Sequence, residues 1–294
     1  MKSFDLERVR LDFAEKIREI SGLRSSSLVR AFATVPREQF VGPGPWKILR
    51  PPDLGRYEIT PDDDPRHLYD TVLVALDAGR HLNNGEPASL ARWLDDLDLV
   101  PGDRFLHIGC GVGYYTAIAA EAVSPGGSAV GLEIDPRLAE RARRNLSAFE
   151  HVEVTSIDGS EYEGEPFDAI FVNAGATELQ RSWLDLLRAG GRLLVPLTVA
   201  LPAIEAGAGH MLRVVRQPNG YSARFVSPVG IFHCAGARTE DGNDLLRQAY
   251  SHGGQECVRS LIRDEHPSNP QCWLHTPWFC LSRLSYSGCR PTRA

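Results

Sequence analysis

The chain has no apolar run approaching the length of a membrane span, and its start, MKSFDLERVRLDFAEKIREI, is too charged for a secretory signal. Both absences point to a cytoplasmic protein with no membrane partner. Its cysteines (Cys110, Cys234, Cys257, Cys272, Cys280 and Cys289) are then expected to be mostly free thiols. Positive charge is not in excess either: 32 Lys and Arg against 38 Asp and Glu leave a net charge of −6, so a phosphate-tracking surface is not expected and nucleic acid is not the expected partner. There is no P-loop sequence, no internal repeat and no low-complexity tract.

What remains is an ordinary globular composition, 43% hydrophobic and 24% charged over 294 residues, enough for one large domain with appendages or two small ones. Leu6, Val9, Phe13, Ile17 and Ile20 recur at steps of three and four and predict an amphipathic helix, with Ser3 as its cap. Leu28, Phe32 and Val35 predict a shorter helix that stops before Pro36. Residues 42–65 carry six prolines and the run Asp62-Asp63-Asp64, and read as a wrapping loop. Leu90, Trp93, Leu94 and Leu97 share one helical face.

From there strands and helices alternate. RFLHI, SAVGLEI, VEVTS, DAIFVN and RLLVPL read as strands. PRLAERARRNL, capped by Asp135 with Pro136 in its first turn, and ELQRSWLDLLRA read as helices. Nearly all-apolar strands alternating with helices predict a parallel sheet covered on both faces. MLRVVR and SARFVSPV, joined through Asn219-Gly220, predict an antiparallel hairpin that closes the sheet. The tail holds two helical patterns, 243–251 and 255–263, and an extended CWLHTPWFCLS. The expected fold is therefore α/β: a Rossmann-like, doubly wound, mostly parallel sheet with an antiparallel C-terminal hairpin, N-terminal helices and a C-terminal extension. Its expected divisions are residues 1–88, 89–233 and 234–294.

The stretch FLHIGCGVGYYTAIAA ends a strand in Gly109, Gly111 and Gly113 and then begins a helix. Backbone amides at such a helix start attract anions and hydrogen-bond acceptors. Twenty residues on, the next strand ends in LEID, which puts Glu133 where a carboxylate can accept both hydroxyls of a ribose. Asp158-Gly159 follows the third strand, where an adenine edge would lie. Three strand ends in chain order thus fit an adenosine-bearing ligand. The loop is G-x-G-x-G, not the dinucleotide pattern, and no Lys or Arg lies between Arg104 and Arg137 to meet a pyrophosphate. This favours S-adenosyl-L-methionine over a nicotinamide dinucleotide.

PGDRFLHIGCGVGYYTAIAA, LEIDPRLAERARRNL, DGSEYEGEPFDAIFVNAGA and LLRAGGRLLVPL, with VPREQFVGP at 35–43, resemble class I methyltransferases and specifically the protein-L-isoaspartate O-methyltransferases. The resemblance implies that Gly109, Gly111 and Gly113, with Cys110 and Tyr114 beside them, line the methionine part of S-adenosylmethionine. It further implies that Glu133 and Ile134 take the ribose end, that Asp158-Gly159 takes the adenine, and that Asn173, after the fourth strand, faces cofactor or substrate.

That family carries a substrate loop of the pattern T-I-S-Q-P. The matching stretch here is Asn83-Asn84-Gly85-Glu86-Pro87, in which the hydroxyl-bearing position is Gly85. These four residues, Asn83 to Glu86, are the candidate catalytic positions. The same stretch also has the composition of a helix N-cap with turn residues. A substrate carboxylate is already ionised near neutral pH and needs no general base, whereas an alcohol, phenol or amine acceptor would call on His81, Asp77 or Glu86. The expected activity is carboxyl O-methylation of a peptide or protein. The alternatives are a small-molecule or biosynthetic-peptide acceptor, or a non-catalytic protein that binds S-adenosylmethionine. In the tail, only Cys272-x-x-His275 has metal-ligand spacing among Cys257, His266, Cys272, His275, Cys280 and Cys289, so no metal site is expected and CWLHTPWFC reads better as an added strand. Trp273, Trp278 and Phe279 are alternatively a pocket floor.

Overall fold

The computed structural model describes residues 3–51, 53–202 and 204–285. It divides into two compact units, Met1–Ile157 and Asp158–Ala294. Among the described residues no helix is long and apolar enough to cross a membrane. Cys289 lies outside the described residues.

The first unit opens with the two predicted helices, α1 (Ser3–Ser21) and α2 (Ser26–Thr34). Ser3 is itself the first helical residue of α1. Ser25 caps α2 by accepting from the Leu28 amide at 3.3 Å. Phe13 and Ile17 from α1 and Leu28 and Phe32 from α2 are buried, which is what the three–four spacing requires. A single turn, α3 (Glu38–Val41), follows.

The expected wrapping loop over 42–65 is instead largely a β-hairpin, β1 (Lys47–Arg50) and β2 (Asp53–Ile59). With β3 (Leu73–Asp77) and β4 (Leu82–Asn83) they form a small sheet in the order β2-β1-β3-β4. Prolines flank the strands without entering them, so the high proline count hid a strand as short as KILR. Ile48 and Val74 pair across β1 and β3 and pack with Val41, Trp46, Leu68 and Val72.

Arg37 organises the approach to β3. Its side chain is fully buried, and its guanidinium donates to the carbonyls of Leu68 (2.6 Å), Asp70 (3.1 Å) and Val72 (2.7 Å). Three carbonyls of an irregular segment, which have no ladder to join, are satisfied by one planar fork.

α4 (Pro87–Asp95) then leads to the parallel strands β5 (Arg104–Ile108), β6 (Ser128–Glu133) and β7 (Val152–Ser156). They are paired in the register Leu106↔Val130 and Val130↔Glu153. The crossovers are α5 (Tyr114–Val123) and α6 (Pro136–Asn145), the latter capped by Asp135 as its sequence predicts. α5 is apolar nearly all round because it packs against α2 and against β5 and β6. Within β5, His107 is fully buried with Nδ1 2.9 Å from the Thr116 hydroxyl, and burial pushes its pKa down to about 3.

The second unit holds β8 (Phe167–Val172), α7 (Arg181–Asp185), β9 (Leu187–Ala200), β10 (Ala206–Gln217), β11 (Gly220–Phe232), α8 (Glu240–Ser251), β12 (Ser260–Ile262), β13 (Cys272–His275) and β14 (Cys280–Ser282). Its strand order is β13-β14-β12-β11-β10-β9-β8. β8 and β9 are parallel, and the other pairs are antiparallel. The predicted hairpin is β10–β11, turning at Asn219-Gly220 and longer than the two motifs implied.

Two predicted helices are corrected. ELQRSWLDLLRA is helical only over Arg181–Asp185, because Leu187 already pairs with Phe167. The strand reaches Arg192, opposite Ala169, through a bulge that takes in Gly190 at φ +77°. The pattern at 255–263 is one 3-10 turn, Gln255–Cys257, followed by β12, whose Ser260 and Leu261 pair with Ser222 and Tyr221 on the edge of β11. An open strand edge outweighs a weak helical period. The helix predicted at 243–251 is α8, and CWLHTPWFCLS forms β13 and β14.

Candidate active site

In the first unit the glycine loop and Glu133 come together. Amides of Gly109 and Cys110 both donate to the Leu132 carbonyl, at 2.8 and 3.0 Å, so the end of β5 is laced to the end of β6. Glu133 is buried, and its two oxygens each take one backbone N–H, from Gly111 at 2.7 Å and from Asp135 at 3.0 Å. Burial raises the Glu133 pKa, and those two N–H groups oppose the rise. A carboxylate oxygen carries two lone pairs, so each retains one for a further donor such as a ribose hydroxyl.

The remaining residues of this part have distinct jobs. Gly113 caps α5 at φ +91°, and a Cβ there would lie 2.6 Å from Leu146 Cδ1, so it serves close packing of the helix start. Cys110 is buried and its thiol pKa is pushed up, chiefly by burial, which makes it a space-filler with no nucleophilic role. Tyr114 is fully buried in a ring cluster with Phe32, Phe40 and Tyr115, at centroid distances of 6.5, 5.4 and 4.9 Å. Its side chain therefore belongs to the core, and only its backbone stands at the helix start. Ile134 is 51% exposed directly after Glu133, an apolar side chain in the open.

The loop matching T-I-S-Q-P is ordered by several ties within the same unit. Asn83 Oδ1 accepts from the Tyr57 hydroxyl at 2.7 Å, and its amide donates to the His81 carbonyl at 2.7 Å. The Asn84 backbone donates to Val74 at 2.8 Å, while its buried side-chain Nδ2 has no hydrogen-bond partner. Gly85, at φ +78°, presents its carbonyl to Tyr115 Oη at 3.3 Å. Glu86 caps α4: Oε1 takes the Ala88 amide (2.9 Å), and Oε2 takes the Ser89 amide and hydroxyl (2.8 Å each). Of the two roles its sequence allows, the structure gives Glu86 the cap.

The other candidate bases are placed as follows. Asp77 Oδ1 takes the amides of Gly79 and Arg80. His81 is exposed, with its ring stacked on Tyr57 at 5.6 Å. Two contributors had no sequence signal, since each acts through contacts far apart in the chain. Arg80 reaches Asp135 at 3.0 Å, tying this loop to the residue that also binds Glu133, and Tyr115 supports Gly85.

In the second unit Asp158 Oδ1 takes the amide and hydroxyl of Ser160, at 2.9 and 2.8 Å. A Cβ on Gly236 would lie 2.1 Å from Asp158 Oδ2, so the chain after β11 runs directly over this carboxylate. The Gly159 carbonyl accepts from the indole of the buried Trp183 at 2.9 Å. Asn173 follows β8 and is half-buried. Next to this group, a cleft of about 280 Å³ is lined by Ser160, Glu178, Arg181 and Trp278, with the Arg181 guanidinium 4.8 Å from the Trp278 ring. Trp273 and Phe279 are buried core residues.

Known proteins place this arrangement. The profile of the protein-L-isoaspartate(D-aspartate) O-methyltransferases matches residues 56–221. The chain belongs to that family. It is 31% identical over 227 residues to protein-L-isoaspartate O-methyltransferase 2 of Archaeoglobus fulgidus, covering 76% of this chain and 93% of that one. It is 33% identical over 209 residues to the protein-L-isoaspartate O-methyltransferase of Methanothrix thermoacetophila, covering 68% and 90%. A solved protein-L-isoaspartate O-methyltransferase superposes with a TM-score of 0.61 at 22% identity, over 86% of this chain and 72% of that one. A putative one from Plasmodium falciparum, solved with S-adenosyl-L-homocysteine, gives 0.57 at 18% identity, over 76% and 97%. The fold is that of class I methyltransferases, and the chain is an O-methyltransferase dependent on S-adenosylmethionine.

Proposed function

We propose that the acceptor is a carboxylate of a peptide or protein, of the L-isoaspartyl type that gives the family its name. The observation that carries this is the engagement of Glu86. Both its oxygens are committed to the start of α4. Within residues 83–86 the amide left for an acceptor is that of Asn84, Asn83 being tied to Tyr57 and His81, and the one carboxylate, Glu86, is engaged as a cap. An acceptor that meets only donors must arrive already nucleophilic, and a carboxylate does. The same engagement sets the Glu86 charge against N–H groups, which reduces its repulsion of an anionic acceptor.

Bound S-adenosylmethionine supplies an electrophilic methyl group on a sulfonium. In the first unit, Glu133 would hold the ribose hydroxyls through its remaining lone pairs, and the exposed Ile134 would offer an apolar face beside them. Amides of the Gly109–Gly113 loop and the start of α5 would receive the amino-acid end. In the second unit, Asp158, Gly159 and Asn173 keep the adenine and substrate-facing roles that the family match suggests. Asn84 Nδ2 orients the acceptor carboxylate. With S-adenosylmethionine bound, its methyl group would pass to that carboxylate and the sulfonium would leave as a neutral thioether, while this chain's residues would hold the two in line. Alignment and water exclusion account for the rate. We further infer a cytoplasmic protein that does not take nucleic acid as its partner, and the net charge of −6 supports the second point.

The test is methyl transfer from labelled S-adenosylmethionine to a matched pair of peptides, one with L-isoaspartate and one with aspartate. A base-labile methyl ester on the isoaspartyl peptide alone is the expected result. Label on neither, with S-adenosylmethionine still bound, overturns the proposed acceptor.

A further inference from the structure

His266, Cys272, His275 and Cys280 each offer one ligand atom to a common point, and those four atoms lie within 4.8 Å of one another. They come from three places in the second unit: the loop before β13, β13 itself and β14. Cys272 and His275 are three apart on a strand, which would place them on opposite faces of a regular sheet. A bulge between Cys272 and Leu274 changes this. Cys272 pairs with Ser282, Leu274 with Leu281 and His275 with Cys280, so one extra residue is absorbed on β13. Cys272 and His275 thus lie opposite Ser282 and Cys280, two apart on β14, and share their face.

His266 completes the group. Its Nδ1 is 2.8 Å from the Asp264 carbonyl, which fixes the proton there and leaves Nε2 as an acceptor, 3.6 Å from Cys272 Sγ. A ring nitrogen tied to a backbone carbonyl is the usual support of a metal-ligating histidine. His275 Nδ1 is buried without a hydrogen-bond partner. In a tetrahedral zinc site with sulfur at about 2.3 Å and nitrogen at about 2.0 Å, neighbouring ligand atoms sit roughly 3.5 Å apart. The Cys272–His266 separation is already that of one such edge.

We propose that these four residues form a structural zinc site. Two thiolates and two imidazoles suit a borderline-soft divalent cation, and four protein ligands leave no open position for a substrate. Binding replaces the two thiol protons, which pass to solvent. The site has a mechanical purpose. β13 and β14 are strands of four and three residues at the outer end of the second unit's sheet, and so short a hairpin is marginal by itself. A metal joining both strands to the preceding loop holds that end closed.

The experiment uses the full chain, produced without a histidine tag in zinc-supplemented medium, with metal content measured by mass spectrometry. One zinc per chain is expected, unchanged in Cys257→Ser and in Cys289→Ser. It should fall about tenfold or more in the Cys272→Ser/Cys280→Ser double variant. Because that variant removes two core-strand thiols, His266→Gln provides a second reading from a loop position outside the strands. After exchange of cobalt for zinc, the wild type should show the visible bands of a tetrahedral ion with a thiolate charge-transfer band, and His266→Gln should shift both. Zinc retained by the double variant overturns the site. So does a metal-free wild type after dialysis against zinc, and an intact mass lighter by two hydrogens, with a non-reduced peptide map linking Cys272 to Cys280, would then identify a disulfide in its place.

Discussion

Gly85 faces Leu90 so closely that a Cβ at position 85 would come within 3.1 Å of Leu90 Cδ2, and within 3.2 Å of Tyr115 Cε2. A side chain at this position, which matches the hydroxyl-bearing one of the family pattern, would require Leu90 and Tyr115 to give by a few tenths of an ångström, and its φ of +78° adds strain for any L-residue with a Cβ. Gly85→Ser is expected to destabilise the protein by about 1–2 kcal/mol without raising methyl transfer. Leu90→Ala added to it should recover part of the Gly85→Ser loss, a non-additivity that a double-mutant cycle in urea would read.

Glu133→Gln keeps the side-chain length but can satisfy only one of the Gly111 and Asp135 amides as an acceptor. S-adenosylmethionine binding by calorimetry should weaken by about 10- to 100-fold, from the lost charge-assisted bonds. An unchanged affinity would remove Glu133 from the cofactor site.

Glu86 separates the cap from the base. Glu86→Gln should keep the turnover of the isoaspartyl peptide within about threefold, while Glu86→Ala loses about 1 kcal/mol of stability with the cap. A collapse of turnover in Glu86→Gln, together with a pH profile that loses its acidic limb, would show that Glu86 acts as a base after all.

His107 makes stability depend on pH in a stated direction. Its folded pKa of about 3 lies below the ordinary value of 6.5, so the unfolded chain binds more protons between those limits. The stability it allows is complete above pH 6.5 and declines as pH falls toward 3, by at most about 1.4 kcal/mol per unit. His107→Gln, which keeps an amide for the Thr116 hydroxyl, should flatten the slope of denaturation midpoint against pH in that window.

Arg37→Met leaves the carbonyls of Leu68, Asp70 and Val72 without their donor. A loss of about 2–4 kcal/mol is expected, with the fastest rise in amide exchange over residues 68–74.

The parts legible in the sequence were those fixed by local period or by strand-end chemistry. Phe13, Ile17, Leu28 and Phe32 announced α1 and α2, and all-apolar strands announced a parallel core. Glu133 stands out in the sequence as an acid at a strand end, and the structure buries it there with its oxygens on the Gly111 and Asp135 amides. The hairpin at 47–59 was hidden because β1 is paired on both sides yet only four residues long, and its neighbours are prolines. β12 carries a helical pattern in its sequence, yet what decides its structure is the edge of β11, forty residues away in the chain. Glu86 could be read either as a cap or as an acid, and only its partners decide. The tether from Arg80 to Asp135 spans 55 residues, beyond any pattern of spacing.

The bulge at Cys272 turns on parity. Side chains on a strand alternate, so the face a residue shows depends on whether the count to its neighbour is odd or even, and the extra residue makes an odd count behave as an even one. Deleting Trp273 would restore plain alternation between β13 and β14 and leave Cys272 and His275 two apart, still on one face and opposite the same Ser282 and Cys280. Adding one residue there would set them on opposite faces as long as the bulge still absorbs only one. The segment thus tolerates changes of residue type more readily than changes of length, and a single-codon insertion is a sharper disturbance here than most substitutions.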